Sequence, residues 1–464
     1  MKRPNLLFIM YDQQRYDCVE MSGMNPVKTP NLARIADGGV FFEKAYTPIP
    51  VCVPARNALF SGRRPEAYGG LWNPHIVFPI HGMEDDCYSW TRDIRDSGYN
   101  TAYIGLWEAD SHKQPSDYGF NSYIGRSDIN KLVNEKHSGI QWKNGYFGEP
   151  SPIPLEHSYT HQVARLACEK LEELHEAGQP WYLHLDNPEP HLPCRPSAPF
   201  DTMYNPDELP AWGSIGETFE NKPYIQHQQL INWELENRTW ENDWKYTAAM
   251  YYGIISQYDD AVGRILNKLD ELGETENTII VYVTDHGDLC GGHRLIDKHY
   301  NMYEDITHVP MAVRWDGRIK PNRFTGFVSS MLDLPPTIMG LMGLPVPNGV
   351  FQGKDLSPEL LAGDSSDGRE YAVSTYNGQQ FGLYCERMIV GEHYKYVWNL
   401  TDIDELYDLK NDPHELTNLI RNESLAPVLS ELREKLYHEL ERCGDPIIRW
   451  NKAQLLSGRK LTDH

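Results

Sequence analysis

The stretch Leu6-Leu7-Phe8-Ile9-Met10-Tyr11-Asp12-Gln13-Gln14-Arg15 decides how the rest of the chain is read. A continuous apolar run that stops at polar residues describes a strand buried on both faces, the habit of parallel sheets. Similar runs recur at Thr101 to Ile104, Trp181 to Leu185 and Thr278 to Val283. Helical periodicity lies between them, clearest from Tyr159 to Leu174 and from Lys245 to Leu272. Alternating strands and helices predict an α/β fold, a mostly parallel central sheet sandwiched by helices. Ligands of such folds gather outside the carboxyl ends of the strands. Asp12 and Gln13 follow the first run, and Asp285 and His286 follow the last. Two carboxylates, an amide oxygen and an imidazole at one edge make a site for a divalent cation. Taken singly each has a plainer use, Asp12 as a helix cap and Asp285 as the start of a turn.

A chain of 464 residues with 40% hydrophobic content supports one large core and a smaller second unit. The formal charge of −23 argues against a nucleic-acid partner, which needs a basic footprint. Any anionic substrate must therefore be gripped by local cations. The cysteines at 18, 52, 87, 168, 194, 290, 385 and 443 are scattered, and a chain of this size needs no disulfides. No apolar run is long enough for a bilayer span, so no membrane partner is expected. Met1 to Asn5 passes straight into the first strand without room for a signal peptide, and the chain as written is expected in the cytoplasm. The texture changes after about residue 350, and Ala362 to Gly368 reads as a linker. We therefore divide the chain into a catalytic region, 1–360, and a smaller C-terminal α+β subdomain, 361–464. The latter carries strand-like pieces at Tyr371 to Thr375, Gly382 to Val390 and Lys395 to Trp398, then an amphipathic helix from Leu425 to Glu441.

The most chemically specific segment is Val51-Cys52-Val53-Pro54-Ala55-Arg56-Asn57-Ala58-Leu59-Phe60-Ser61-Gly62-Arg63. Pro54 suits the first turn of a helix, where its missing N–H is no loss. Cys52 then lies at the positive end of that helix, and Arg56 shares its face four residues on. Read alone, Cys52 is equally a small buried apolar residue. The Cys-x-Pro-x-Arg and Ser-Gly-Arg spacing resembles the signature of the type I sulfatases, members of the alkaline phosphatase superfamily. Other blocks keep that family's order. Pro190-His191-Leu192-Pro193 resembles its Pro-His-x-Pro segment, and Lys298 ahead of Tyr303-Glu304 and Val309-Pro310 resembles its sulfate-contacting lysine. Glu405 to Leu409 with Asp412-Pro413 and Asn418-Leu419 looks like its C-terminal signature. The resemblance implies that a maturase oxidises Cys52 to formylglycine, whose hydrate attacks a sulfate ester. It implies that Asp12, Gln13, Cys52, Asp285 and His286 hold a metal, for which Ca²⁺ fits. It places Arg56 and Lys298 on the sulfate oxygens and His191 at the scissile group. The expected activity is sulfate removal from a saccharide.

Departures from the pattern are informative. Where most sulfatases carry Gly-Lys-Trp-His, this chain has Gly105-Leu106-Trp107-Glu108. A cation and a proton carrier are absent from their usual places. Glu108 is our candidate base; His112 and Lys113 are substitutes more simply read as solvated loop residues. Gln13 stands where many relatives have an aspartate. The Asp-Gln and Asp-His pairs also resemble phosphonate monoester and phosphodiester hydrolases, an alternative that brings Mn²⁺ or Zn²⁺. A catalytically silent binding homologue is the second alternative. Asn73, His75 and Asn221-Lys222-Pro223 are candidate pocket residues, with turns as their plainer use. His161, His184, His293, His299 and His308 receive no function, His293 being the best placed of them.

Overall fold

The computed structural model describes residues 3–73, 87–365 and 368–459. The opening stretch forms β1 (Asn5–Asp12), and every residue of it is buried. Leu7, Ile9 and Tyr11 enter one core while Leu6, Phe8 and Met10 enter another, the period-two pattern of a strand covered on both faces. The catalytic region continues with α1 (Pro30–Asp37), β2 (Gly39–Tyr46), α2 (Cys52–Ser61), α3 (Trp90–Asp96), β3 (Asn100–Gly105), β4 (Ser122–Gly125) and α4 (Arg126–Lys136). Then come α5 (Tyr159–Ala177), β5 (Trp181–Pro190), α6 (Tyr224–Asn232), α7 (Lys245–Glu271), β6 (Thr278–Thr284), α8 (Glu304–Thr307), β7 (Met311–Arg314), β8 (Asn322–Ser329), α9 (Ser330–Leu341) and α10 (Ser357–Ala362).

The eight strands β1 to β8 form one sheet in the order β4-β3-β5-β1-β6-β7-β2-β8. All neighbours run parallel except β7, which is antiparallel to β6 and to β2. Helices α1, α5 and α7 feed the core on one face, and α2, α3 and α9 feed the other. The register brings three strand ends level: Tyr11 lies opposite Thr284 of β6, and Asp12 opposite Pro190 of β5. The register shifts between Tyr11 and Asp12, where β5 carries two extra residues, Pro188 and Glu189. Asp12, Asp285 and the segment around His191 are thus delivered to one edge. This is the α/β architecture expected from the apolar runs, with one antiparallel strand added.

A second, antiparallel sheet contains β9 (Ala372–Gln379), β10 (Gly382–Val390), β11 (Tyr394–Asn399) and β12 (Glu405–Asp408), followed by α11 (Ala426–Cys443) and α12 (Ile448–Ser457). Leu429, Leu432, Leu436 and Leu440 recur at helical spacing on α11 and pack on Val373, Ile389, Tyr396 and Trp398. The opposite face of this sheet, through Tyr376, Met388 and Val397, joins the core of the catalytic region. Buried Lys395 on β11 reinforces that junction. Its ammonium lies 2.8 Å from Glu304 Oε1 and 2.7 Å from Glu415 Oε1, and donates to the Met302 carbonyl at 2.8 Å. Among the described residues no helix is long and apolar enough to cross a membrane. Removing one partner of a buried ion cluster leaves charge uncompensated. Lys395→Met should therefore lower unfolding free energy by about 3–5 kcal/mol, read by chemical denaturation.

Candidate active site

Helix α2 starts at Cys52 because Val51 is extended and Pro54 sits in the first turn. Val51 has no side chain with which to cap the free amides. Asn73 does so instead, its Oδ1 accepting from the Val53 N–H at 3.0 Å. All ten residues of α2 are buried, so Cys52 and Arg56 are fixed inside the protein.

Asp12, Cys52, Asp285 and His286 bring four ligand atoms within 4.8 Å of one another. His286 Nδ1 lies 3.0 Å from the Gly287 carbonyl, which can only accept, so the ring proton is on Nδ1. The Nε2 lone pair then faces Cys52 Sγ at 3.3 Å, with Asp12 Oδ1 and Asp285 Oδ2 each 3.7 Å away. Burial and Lys298 hold the imidazole pKa well below its usual value, which keeps it neutral. Asp285 Oδ1 accepts from the Gln13 and His286 amides, whereas its buried Oδ2 has no hydrogen-bond partner. An orphaned carboxylate oxygen beside an imidazole lone pair and a second carboxylate fits a divalent cation. Burial works to raise the Asp12 carboxyl, but Arg56, His191, His286 and Lys298 outweigh it and hold it down to about 2. Burial and the charge of Asp12 push the Cys52 thiol pKa well up, so the unmodified residue is a poor nucleophile.

Arg56 is turned away from the role the motif suggested. Its Nη2 donates to Asp12 Oδ2 and Asp186 Oδ1, both at 3.1 Å, and lies 3.4 Å from Asp285 Oδ2. Its Nη1 donates to Glu108 Oε2 at 2.9 Å. The guanidinium is thus enclosed by four carboxylates and forms no part of the cavity wall. Asp186, unnoticed in the sequence, also accepts from the Tyr103 hydroxyl at 2.8 Å. Burial pushes its carboxyl up to about 7. Gly105 makes this approach feasible: its φ is +120°, and a Cβ there would lie 1.8 Å from the Asp186 carbonyl oxygen.

Gln13 is positioned by a second network. Its Oε1 accepts from Lys298 Nζ at 2.6 Å, and its amide group donates to Asp297 at 2.9 Å and also to Asp288. The Gln13 oxygen is therefore already engaged. Burial opposes the charge on Lys298, yet Asp297, Cys52 and Asp12 outweigh it and raise its pKa. Lys298 Nζ lies 3.1 Å from His191 Nε2, and His191 Nδ1 lies 2.8 Å from the Leu192 carbonyl.

Asp12, Cys52, His191, Asp297 and Lys298 line a cavity of 540 Å³ that also receives Asn73, Leu106, Glu108, His299 and, from the C-terminal sheet, Gln379 and Gln380. Glu189, two residues before His191, lines it as well; its Oε2 has no partner and burial pushes the carboxyl up to about 8. Asp186 and Glu189 occupy the carboxyl end of β5, so the strand-end rule that selected Asp12 covers them too. His112 and Lys113 are not in the wall. The Asn221-Lys222-Pro223 segment is not there either: Asn221 bonds the Asn418 backbone at 3.2 Å and Lys222 the Glu415 carbonyl at 2.6 Å. His293 is buried against Glu217 at 2.7 Å and stacked on Tyr303, away from the cavity. His161, His184 and His308 are committed to Asp260, Tyr182 and Glu304 respectively. His75 lies outside the described residues.

The family profile Sulfatase matches residues 4–344, and the profile N-sulphoglucosamine sulphohydrolase, C-terminal, matches residues 291–442. The uncharacterized sulfatase YidJ of Escherichia coli is 29% identical over 96% of this chain and 89% of its own length. An N-acetylglucosamine-6-O-sulfatase of Bacteroides thetaiotaomicron is 24% identical, covering 94% of this chain and 86% of that protein. The solved phosphonate monoester hydrolase of Silicibacter pomeroyi superposes with a TM-score of 0.82 at 20% identity, covering 96% of each chain. With a family profile spanning the whole eight-stranded region, the chain belongs to the sulfatase family and is a sulfuric ester hydrolase.

Proposed function

We propose that this enzyme removes sulfate from a saccharide ester, with Cys52, oxidised to formylglycine by a maturase, as its nucleophilic residue. The observation that carries this reading is the position of Cys52 Sγ: in the cavity wall and among the ligand atoms of Asp12, Asp285 and His286. Those three residues would hold the cation, which supplies Lewis acidity and an easily ionised attacking hydroxyl. With the Gln13 oxygen taken by Lys298, the protein offers two carboxylates and one nitrogen. Ca²⁺ favours six to eight oxygens, so this donor set suits Mn²⁺ or Zn²⁺ better than the calcium expected from sequence.

Lys298 presents a firmly held positive charge to the ester oxygens. With the His191 Nδ1 proton directed at the Leu192 carbonyl, Nε2 accepts from Lys298 Nζ, so the imidazole orients the ammonium that offers hydrogen bonds to the ester. Arg56 is a positioning residue that aligns Asp12 and Asp285, and Glu108 is its outer anchor rather than the base. A wall carrying Asn73, Gln379, Gln380 and a protonated Glu189 offers neutral hydrogen bonds to sugar hydroxyls. The alternative, a phosphonate or phosphodiester hydrolase, draws support from the Asp12-Gln13 and Asp285-His286 pairs and from apolar Leu106 in the wall. Parallel assays of sulfate and phosphate-diester release separate the two.

Cys52→Ala should cut sulfate release by roughly 10³-fold or more while leaving the melting temperature near that of the parent; sulfate turnover by this variant would remove the nucleophile. Chelation should abolish turnover, and Mn²⁺ or Zn²⁺ should restore more of it than Ca²⁺, checked by metal analysis of the purified enzyme. Glu189 retains its proton in the folded state up to about pH 8 but loses it near its ordinary value when unfolded. Its contribution to stability is therefore present at low pH and lost as pH rises through 8. Melting temperatures should accordingly fall less from pH 5 to 8 in Glu189→Gln than in the parent.

A further inference from the structure

Three cationic side chains of lysine or arginine line the active cavity: Lys298, Arg126 and Arg195. Two of them already face a carboxylate. Lys298 lies 3.3 Å from Asp297, and Arg126 lies 3.9 Å from Glu108. Arg195 forms no ion pair and no side-chain hydrogen bond among the described residues, and its buried Nε has no partner. Burial holds its pKa below the usual value, with Glu149 and Cys194 pulling the other way.

Its placement is nonetheless firm. The guanidinium lies over the Trp142 ring, 4.1 Å from the centroid. The backbone on both sides is pinned, the Cys194 carbonyl accepting from Glu149 N at 3.1 Å and the Pro196 carbonyl from Ser151 N at 2.8 Å. A guanidinium stacked on an aromatic face keeps its N–H donors in its own plane, directed outward and matched to a carboxylate or sulfate. The cavity, at 540 Å³, is of the size that encloses a whole drug-sized ligand rather than one sulfate group. The chain's net charge of −23 makes a cation outside any ion pair in this wall more significant, because the surface as a whole repels polyanions.

We propose that Arg195, laid on Trp142, binds a second anionic substituent of the substrate, a carboxylate or a further sulfate, so that the enzyme prefers doubly anionic sugars to singly sulfated ones. This rests on the reading above in which the Cys52 end of the cavity receives the ester undergoing hydrolysis. Arg195 touches the substrate's distal group and not the reacting atoms, so its effect falls on KM before kcat.

The test uses the mature enzyme with formylglycine at position 52 and a panel of hexose monosulfates, hexose disulfates and hexuronate sulfates, each at every ring position. Steady-state sulfate release should give kcat/KM at least tenfold higher for doubly anionic members. Arg195→Gln should reduce kcat/KM on those members at least tenfold more than on singly sulfated ones, through KM, and Arg195→Lys should recover part of the loss. The disulfate and hexuronate arms identify which anion is read. Equal losses on both classes, or a parent enzyme without preference, overturn the role of Arg195 while leaving sulfate hydrolysis intact. If no member of the panel releases sulfate, the saccharide reading falls and this proposal falls with it.

Discussion

A single buried guanidinium facing four carboxylates is the constraint on which the site depends. Arg56 reaches Asp12, Asp186, Asp285 and Glu108 from a helix with no exposed residue. One positive charge cannot balance four negative ones in so dry a place, and the imbalance is visible in the acids themselves. Asp12 is held down to about 2, while burial and the charge of Asp12 push the Asp285 carboxyl well up. Asp186 rises to about 7 because burial outweighs Arg56. Asp12 and Asp285 could hold a divalent cation, which would relieve this conflict and give the orphaned Asp285 oxygen a partner. The same geometry ties the site to α2: Cys52 and Arg56 lie one turn apart, so Cys52 and the carboxylate clamp are held by one buried helix.

Much of the fold was legible, for a definite reason. Strands β1, β3, β5 and β6 are central, and their unbroken apolar runs are what burial on both faces demands. The other half of the sheet was hidden. β7 has only four residues, and β2 carries Glu43 and Lys44 in its middle, which breaks the run. α12 was missed because its apolar content is slight, Leu455 being its one buried residue. The large C-terminal elements were visible because α11 repeats leucine at helical spacing.

The site was legible in membership and opaque in direction. Motif order brought Asp12, Cys52, Asp285 and His286 together before any coordinates did. Which way Arg56 points depends on Asp186, on β5, and Glu108, in the loop after β3. No spacing within the helix reports that. Gln13 likewise looked like a ligand from its neighbour Asp12, yet its positive φ of 70° turns its side chain toward Lys298 and Asp297. Glu189 escaped notice inside a proline-rich segment, Asn187-Pro188-Glu189-Pro190, where a lone acid reads as turn chemistry.

The cavity wall is less acidic than the molecule as a whole, and two side chains contribute to the difference. A carboxylate at Glu189 would repel a sulfated ligand, but burial keeps that group protonated up to about pH 8 and turns it into a hydrogen-bond donor. Arg195 adds a positive charge that is in no direct ion pair among the described residues. Together they allow an acidic chain to accept an anion at close range without attracting polyanions from a distance, since the surface field is screened within about 10 Å at ordinary salt. Recognition then rests on contact inside the cavity.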